Sequence, residues 1–246
     1  MAEKKSLEIV VPIYNEDKEL EGNITKLHSF LARNFRDIKW RITIADNAST
    51  DNSLQIAKRL SHRKAGIDYL HLDEKGRGRA VKKAWLKSKA DYISYMDVDL
   101  STDLKYLKPL ISSLKTGYHI VIGNRLMDRA IVKDRPLNRE ILSRGYNILI
   151  KLLFQVNFTD AQCGFKAITR TASQNLLPHI KDNAWFFDSE LLIVAEKAGY
   201  KIFQLPVSWT DNPGSTVRVL KTVYGDLAGL WRLFWTRPWK NIKTYG

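Results

Sequence analysis

Five short runs rich in β-branched and aromatic residues, residues 5–12 (KSLEIVVP), 40–46 (WRITIAD), 67–72 (IDYLHL), 92–96 (YISYM) and 119–123 (HIVIG), are separated mostly by helical patterns. Such alternation predicts an α/β fold with a mainly parallel sheet and helices on both faces, since parallel neighbours require a crossover that buries its own apolar stripe. Open sheets of this class take ligands beyond the carboxyl ends of their strands, so the residues just after each run are where chemistry is expected. With 246 residues, 44% of them hydrophobic, and no Gly/Pro/Ser-rich linker, the chain can bury one full core.

Asp97-Val98-Asp99 leaves the fourth run. Mg²⁺ or Mn²⁺ is typically held by one or two carboxylates plus phosphate oxygens, so this pair suits a metal-bound diphosphate. Acidic residues after a strand also serve as turn or N-cap residues, and Ser101-Thr102-Asp103 follows closely. The first run ends in Pro12-Ile13-Tyr14-Asn15-Glu16 and the second in Asp46-Asn47-Ala48-Ser49-Thr50-Asp51. A carboxylate such as Asp46 can accept the imino proton of uracil or the amino protons of guanine, whereas Ser49, Thr50 and Asp51 read as caps for the next helix. In Lys75-Gly76-Arg77-Gly78-Arg79 the glycines let backbone approach an anion and the arginines can fork onto phosphate. The segment lacks the third glycine of a dinucleotide fingerprint and equally reads as a turn opening a helix.

Charge and cysteine content narrow the classes. Forty basic against 26 acidic residues give +14, an excess that attracts nucleic acid, anionic lipid or phosphorylated substrates without choosing among them. No helix-turn-helix, finger or RNP signature accompanies it, so no nucleic acid is expected as partner. The single Cys163 allows no intramolecular disulfide and no zinc site by itself, and the histidines lack metal spacing. The charged start MAEKKSLEIVV has no signal-peptide core and no apolar run is long enough to span a bilayer, so a soluble or peripheral protein is expected.

In this order the motifs VVPIYNE, ADNASTDNS, KGRGRAV, DVDLST, IGNR, TDAQCGFKAITR, FFDSELL and VSWTDNPGSTVR resemble those of family 2 glycosyltransferases with a GT-A fold. Within the family the chain is most similar to polyprenyl-phosphate hexose synthases, first the dolichyl-phosphate glucose type and then the mannose type. Two departures stand out: Asp46-Asn47 replaces the usual acidic pair, and this sequence carries no transmembrane helices of the kind that follow the domain in some relatives.

The resemblance implies that Pro12, Tyr14, Glu16 and Asp46 surround the nucleotide, with Arg77 at the donor, and that Asp97 and Asp99 hold Mg²⁺ or Mn²⁺ and the diphosphate. It implies Arg125, Arg139, Arg144, Ser215 and Arg218 at the acceptor phosphate, Asp160 and Gln162 at the reacting centre, and Asp99, Asp160 and Arg125 as the catalytic set. The expected reaction is inverting transfer of a hexose, from UDP-glucose before GDP-mannose, to dolichyl or polyprenyl phosphate on the cytoplasmic face of a membrane. A glycosyltransferase with a soluble or polysaccharide acceptor is the alternative within enzymes, and a basic nucleic-acid-binding protein the alternative outside them. Residues agree where they can be read: between 125 and 151, seven Lys/Arg stand against three acids. A phosphate monoester, with a second pKa near about 6, is already nucleophilic at neutral pH and needs no strong general base. Asp188 and Glu190 are further candidates for orienting the sugar, and Asp188 also reads as the cap of a helix over 189–197.

The expected division is one GT-A domain over 1–216 and an amphipathic, basic, Trp-rich segment over 217–246. There Leu220, Val223, Tyr224, Leu227, Leu230, Trp231, Phe234 and Trp235 predict one apolar helical stripe, with Lys221, Asp226 and Arg232 off it. Trp239 among Arg237, Lys240 and Lys243 is the composition of a lipid headgroup boundary, and a helix packed on the protein's own core is the competing reading.

Overall fold

The computed structural model describes residues 4–211 and 219–242, with side chains of the last helix from residue 222. Its elements are β1 (Ser6–Ile13), α1 (Leu20–Asn34), β2 (Lys39–Asn47), α2 (Ser53–Arg63), β3 (Ile67–Leu72), α3 (Arg77–Lys87), β4 (Tyr92–Met96), α4 (Leu107–Lys115), β5 (Ile120–Asn124), β6 (Ile131–Lys133), α5 (Leu137–Phe154), β7 (Phe165–Thr169), α6 (Arg170–Leu176), α7 (Phe187–Lys197), β8 (Ile202–Pro206), β9 (Ser208–Thr210) and α8 (Val219–Thr236). Seven strands form one sheet in the order β3-β2-β1-β4-β7-β5-β8. The five expected strands are all present, with ends within one residue of the sequence reading.

β1 shows why the sheet is central. Leu7, Ile9, Val11 and Ile13 feed the core beneath α1, α2 and α4, while Val10 points into the core under α3, α6 and α7. A strand covered on both faces reads as a nearly continuous apolar run, as this one does. β1 pairs in parallel with β2 on one side and β4 on the other. The chain therefore winds both ways from β1, and the crevice beyond the β1 and β4 ends is the topological switch point. Glu16 and Asp97 both lie just past those ends.

β7 runs antiparallel between β4 and β5. Sequence periodicity missed it because a fully buried lysine, Lys166, occupies its second position. The other strands not anticipated are β8, whose residues are only half-buried, and the three-residue pair β6 and β9.

Two expectations about helices are corrected. α7 starts at Phe187, two residues before the expected start, and Asp188 is buried in its first turn rather than capping it. α8 has no single apolar face: Asp226, Leu230 and Leu233 are buried, Gly229 abuts the Phe186 ring, and Arg232 forks onto Glu190 at 2.8 and 2.9 Å. Phe234 and Trp239 pack partly on the core, whereas Tyr224, Leu227, Trp231 and Trp235 remain exposed. Asp226 and Arg232, which the sequence sets off the stripe, thus face the body, where Gln162 and Glu190 take them as partners. Leu220, Lys221, Ser215, Arg218 and Lys243 lie outside the described side chains. No helix among the described residues is long and apolar enough to cross a membrane.

Candidate active site

Loops at the switch point are tied to one another by side chains. Asn15, in the left-handed region at φ 57°, donates its N–H to Ser49 Oγ (3.0 Å) and accepts from the Thr50 N–H (2.8 Å). The Glu16 N–H donates to Ser53 Oγ (2.7 Å). Ser49 and Thr50 thus clasp the loop after β1 instead of capping α2, whose N-cap position is Asn52. Ala48 and Leu100, left-handed at φ 60° and 52°, sit just after β2 and after Asp99. Each such residue costs about 1–3 kcal/mol, strain typical of binding loops.

Around Asp97 the charges form a chain. Arg77 donates Nη2 to Asp97 Oδ1 (2.6 Å) and Nη1 to Asp188 Oδ2 (2.8 Å). Buried Lys166 places Nζ 3.0 Å from Asp188 Oδ1 and donates to the Cys163 carbonyl (2.6 Å), and the Tyr95 hydroxyl also donates to Asp188. Burial pushes the Asp188 carboxyl up, but Lys166 and Arg77 outweigh it and hold it below the usual range. Gly164 is required beside this group, because any Cβ there would collide with the Asp97 carboxylate.

Asp99 accepts from the Ser101 N–H (2.9 Å) and Oγ (2.6 Å). Burial and then the Asp97 charge push its carboxyl up. Glu16 is pushed up to about 7, first by burial and then by Glu19, Asp99, Asp51 and Asp97. Carboxylates that raise one another's pKa fit a divalent cation, whose charge would relieve the repulsion. Among the described residues no group of three or more His, Cys, Asp or Glu forms a metal cage. Two hard carboxylates completed by substrate oxygens are therefore the donor set that fits here.

At β2 the structure adds a residue that the sequence reading left unassigned. Asp46 is fully buried, and its Oδ2 lies 2.6 Å from Nδ1 of His71, its register partner on β3. The more exposed member of the pair is His71. Asn47, in place of the usual second acid, accepts the Gly76 N–H. Gly78 and Arg79 donate their N–H groups to the Ala184 and Asn183 carbonyls at 3.1 and 3.0 Å. These backbone donors are satisfied by protein, so Gly78 serves close packing, its absent Cβ leaving room for Phe187, rather than an anion cradle. Arg77 contributes its side chain, stacked 5.0 Å from the Tyr95 ring and 5.2 Å from Trp185. Lys75 Nζ lies 3.3 Å over the Tyr14 ring, and Pro12 is buried within β1 opposite Ala45.

Beyond β5 a second charged group assembles. Arg125 gives three hydrogen bonds to fully buried Asp160: the N–H (2.9 Å) and Nε (2.8 Å) to Oδ2 and Nη2 (2.8 Å) to Oδ1. Burial raises the Asp160 carboxyl and Arg125 more than reverses it, leaving it lowered. The Arg125 and Arg135 guanidiniums both approach the Trp209 ring, at 5.1 and 5.8 Å. Arg135 pairs with Glu140 (3.0 Å), Glu140 with Arg144 (2.6 Å), and Arg139 with Asp211 (3.0 Å). Arg125, Arg139 and Arg144 are thus brought into one neighbourhood, together with Arg135, which the sequence reading counted but did not single out. Burial and the Arg125 charge pull the Arg135 guanidinium down, the sign of local positive excess. Cys163 is a buried free thiol pushed up to about 12 by its burial, so it packs as a small apolar side chain.

A doubly wound, mostly parallel sheet with an acid pair at its switch point is a GT-A-like architecture. The structure is similar to glucosyl-3-phosphoglycerate synthase from Mycobacterium tuberculosis in complex with UDP, with a TM-score of 0.70 at 16% identity, covering 94% of this chain and 80% of that one. The same enzyme in complex with Mn²⁺, UDP and phosphoglyceric acid also matches, with a TM-score of 0.70 at 15% identity. Residues 8–177 match the model of glycosyl transferase family 2, and the chain belongs to that family. Glycosyltransferase AglD of Haloferax volcanii is 33% identical over 234 residues, which is 92% of this chain but 36% of AglD. A dolichyl-phosphate beta-glucosyltransferase of Dictyostelium discoideum is 29% identical over 250 residues, covering 92% of this chain and 76% of the relative. The chain therefore spans about a third of AglD and about three quarters of the Dictyostelium protein.

Proposed function

We propose that this chain is a metal-dependent, inverting glycosyltransferase that moves glucose from UDP-glucose to a dolichyl or polyprenyl phosphate at a membrane surface, on its cytoplasmic face. The observation that carries the acceptor is α5, which brings phosphate-binding and lipid-facing chemistry together. Arg139 and Arg144 lie on this helix, and Leu137, Ile141, Ile148 and Leu152 are exposed along one stripe that includes Arg144. α8 packs beside it and adds Tyr224, Leu227, Trp231 and Trp235. Apolar rings and leucines next to basic side chains suit a headgroup boundary, where each Lys or Arg adds on the order of 1 kcal/mol on an anionic surface. The dolichyl-phosphate beta-glucosyltransferases among its relatives favour glucose and a lipid phosphate over a polysaccharide acceptor or GDP-mannose.

Mg²⁺ or Mn²⁺ held by Asp97 and Asp99 would supply positive charge for the departing diphosphate. Arg77, anchored by Asp188, would hold a donor phosphate oxygen. The Asp46–His71 pair, at the carboxyl ends of β2 and β3, and Tyr14, just past β1, would take the base and ribose. Arg125 and Arg135 receive the acceptor phosphate, whose oxygen attacks the anomeric carbon without a base, while Asp160 fixes Arg125 in place. The test is a panel of radiolabelled nucleotide sugars incubated with polyprenyl phosphate in vesicles. Label entering the lipid fraction from UDP-glucose, and lost on chelation, is the expected result. Label entering from GDP-mannose instead reassigns the donor, and label entering only a soluble acceptor rejects the lipid.

A further inference from the structure

One buried carboxylate of the site region has an oxygen that its hydrogen bond to the protein leaves unused. Asp226 lies on the inner face of α8, one turn before Gly229 and Leu230, and is 4% exposed. Its Oδ2 accepts from Gln162 Nε2 at 2.8 Å, and its Oδ1 is buried with no hydrogen-bond partner among the described residues. Burial pushes its carboxyl up to about 7, and among the described residues the charges that add to this are those of Asp182 and Asp188. Burying an acid with an unsatisfied oxygen beside other acids weakens a fold. Where a local rule is broken without a compensating contact, a ligand is the usual reason.

Its neighbours define that ligand. Gln162 lies two residues from Asp160 and two from Gly164, whose Cα abuts the Asp97 carboxylate, so the Gln162–Asp226 pair joins the metal edge to the acceptor edge. Tyr146 of α5, whose hydroxyl donates to Ser189 Oγ (2.8 Å), is close enough for Asp226 to raise its pKa. An anionic ligand would meet three carboxylates here, and an apolar one would leave Oδ1 unsatisfied. A sugar brings neutral hydroxyl donors and suits both conditions.

We propose that Asp226 is a sugar-contacting residue, its free Oδ1 accepting a hydrogen bond from a hydroxyl of the hexose being transferred while Gln162 holds the other oxygen. α8 then contributes a wall of the donor-sugar site as well as an exposed apolar face. This rests on the proposed glucosyl transfer and deepens it.

Asp226→Ala and Asp226→Asn are compared with the wild type in the full chain for kcat and KM with UDP-glucose, affinity for UDP alone, and Tm. The expected result is a loss of tenfold or more in kcat/KM for UDP-glucose in the alanine variant, UDP affinity within twofold, and a Tm equal to or above that of the wild type. Among UDP-deoxyglucose donors, one that the wild type uses poorly should be used no worse than UDP-glucose by Asp226→Ala, which a merely structural residue would not produce. Unchanged kcat/KM in both variants, or a parallel fall of Tm and UDP affinity, overturns the assignment and leaves glucosyl transfer standing. A wild type that transfers no glucose from UDP-glucose overturns both.

Discussion

Two acid–arginine pairs, one at each edge of the candidate site, use the same groups to opposite ends. At the proposed acceptor edge Asp160 is wholly buried and takes three hydrogen bonds from Arg125, so both its oxygens are engaged within the protein. At the donor edge Arg77 splits its fork between Asp97 and Asp188, and the Asp97 side chain stays 39% exposed with a single bond from Arg77. A closed pair is a fixed part of the frame; a shared, half-open one can change partners when a ligand arrives. Position in the sheet follows the same division: Asp97 projects from the end of β4 into the switch-point crevice, whereas Asp160 is enclosed beneath the turn after β5.

The largest effect that tests this contrast is on stability. Arg125→Ala leaves Asp160 buried and unpaired, and the expected cost is about 3–5 kcal/mol in denaturant unfolding; a cost near zero would erase the distinction between the edges. Because the folded Asp160 pKa is lowered, its contribution is present at neutral pH and is lost as pH falls from the ordinary Asp value through the lowered one. Next comes Asp97→Ala, expected to cut turnover about 100- to 1000-fold, as removal of transition-state charge stabilisation does, with the unfolding midpoint nearly unchanged. A comparable loss of stability there would make Asp97 part of the frame as well.

Two smaller effects sharpen the comparison. Trp231→Ser with Trp235→Ser, residues that are 68% and 66% exposed, should weaken vesicle binding about tenfold on the scale of apolar burial. Activity on a short water-soluble phosphate acceptor and Tm should hold; an equal loss on both acceptors would place the two rings in the core. Glu16→Gln should raise Tm at pH 8 by about 2–4 °C, roughly 1 kcal/mol for a chain this size, and change little at pH 5. The sign follows from a folded pKa raised to about 7: the wild type loses stability as pH rises from the ordinary Glu value to that point, where the carboxyl ionises among other acids. Added Mn²⁺ should shrink the difference if the cation lies among these acids.

The sequence made the donor edge far more legible than the acceptor edge. Strands such as β1 and β4 are continuous apolar runs whose next residues must emerge at the ligand side, so periodicity puts Glu16 and Asp97 there and Asp46 at the end of β2, while the roles of Glu16 and Asp46 at the nucleotide come from the resemblance. His71 was missed because its meaning lies in the β2–β3 register, a pairing that local pattern does not encode. Lys166 hid β7, since a lysine within a buried strand makes sense only once Asp188, some twenty residues on, is known to be its partner. On α8 the apolar residues suggested one stripe, yet Glu190 and Gln162 select which side turns inward. Arg135 was counted only as one charge among seven, because its relation to Trp209 depends on β6 pairing with β9.

The antiparallel β7 also sets an order of assembly. β1 to β4 can pair as soon as residue 96 is made, but β5, ending at Asn124, finds its inner neighbour only when β7, beginning at Phe165, arrives. Some forty residues separate them, so at roughly 5–20 residues per second on the ribosome the inner edge of β5 waits several seconds for its partner. Throughout that interval β4 also exposes the edge that β7 will cover, and the nascent chain carries two unpaired apolar strand edges. Chaperone demand during synthesis should therefore peak between the completion of β5 and the arrival of β7.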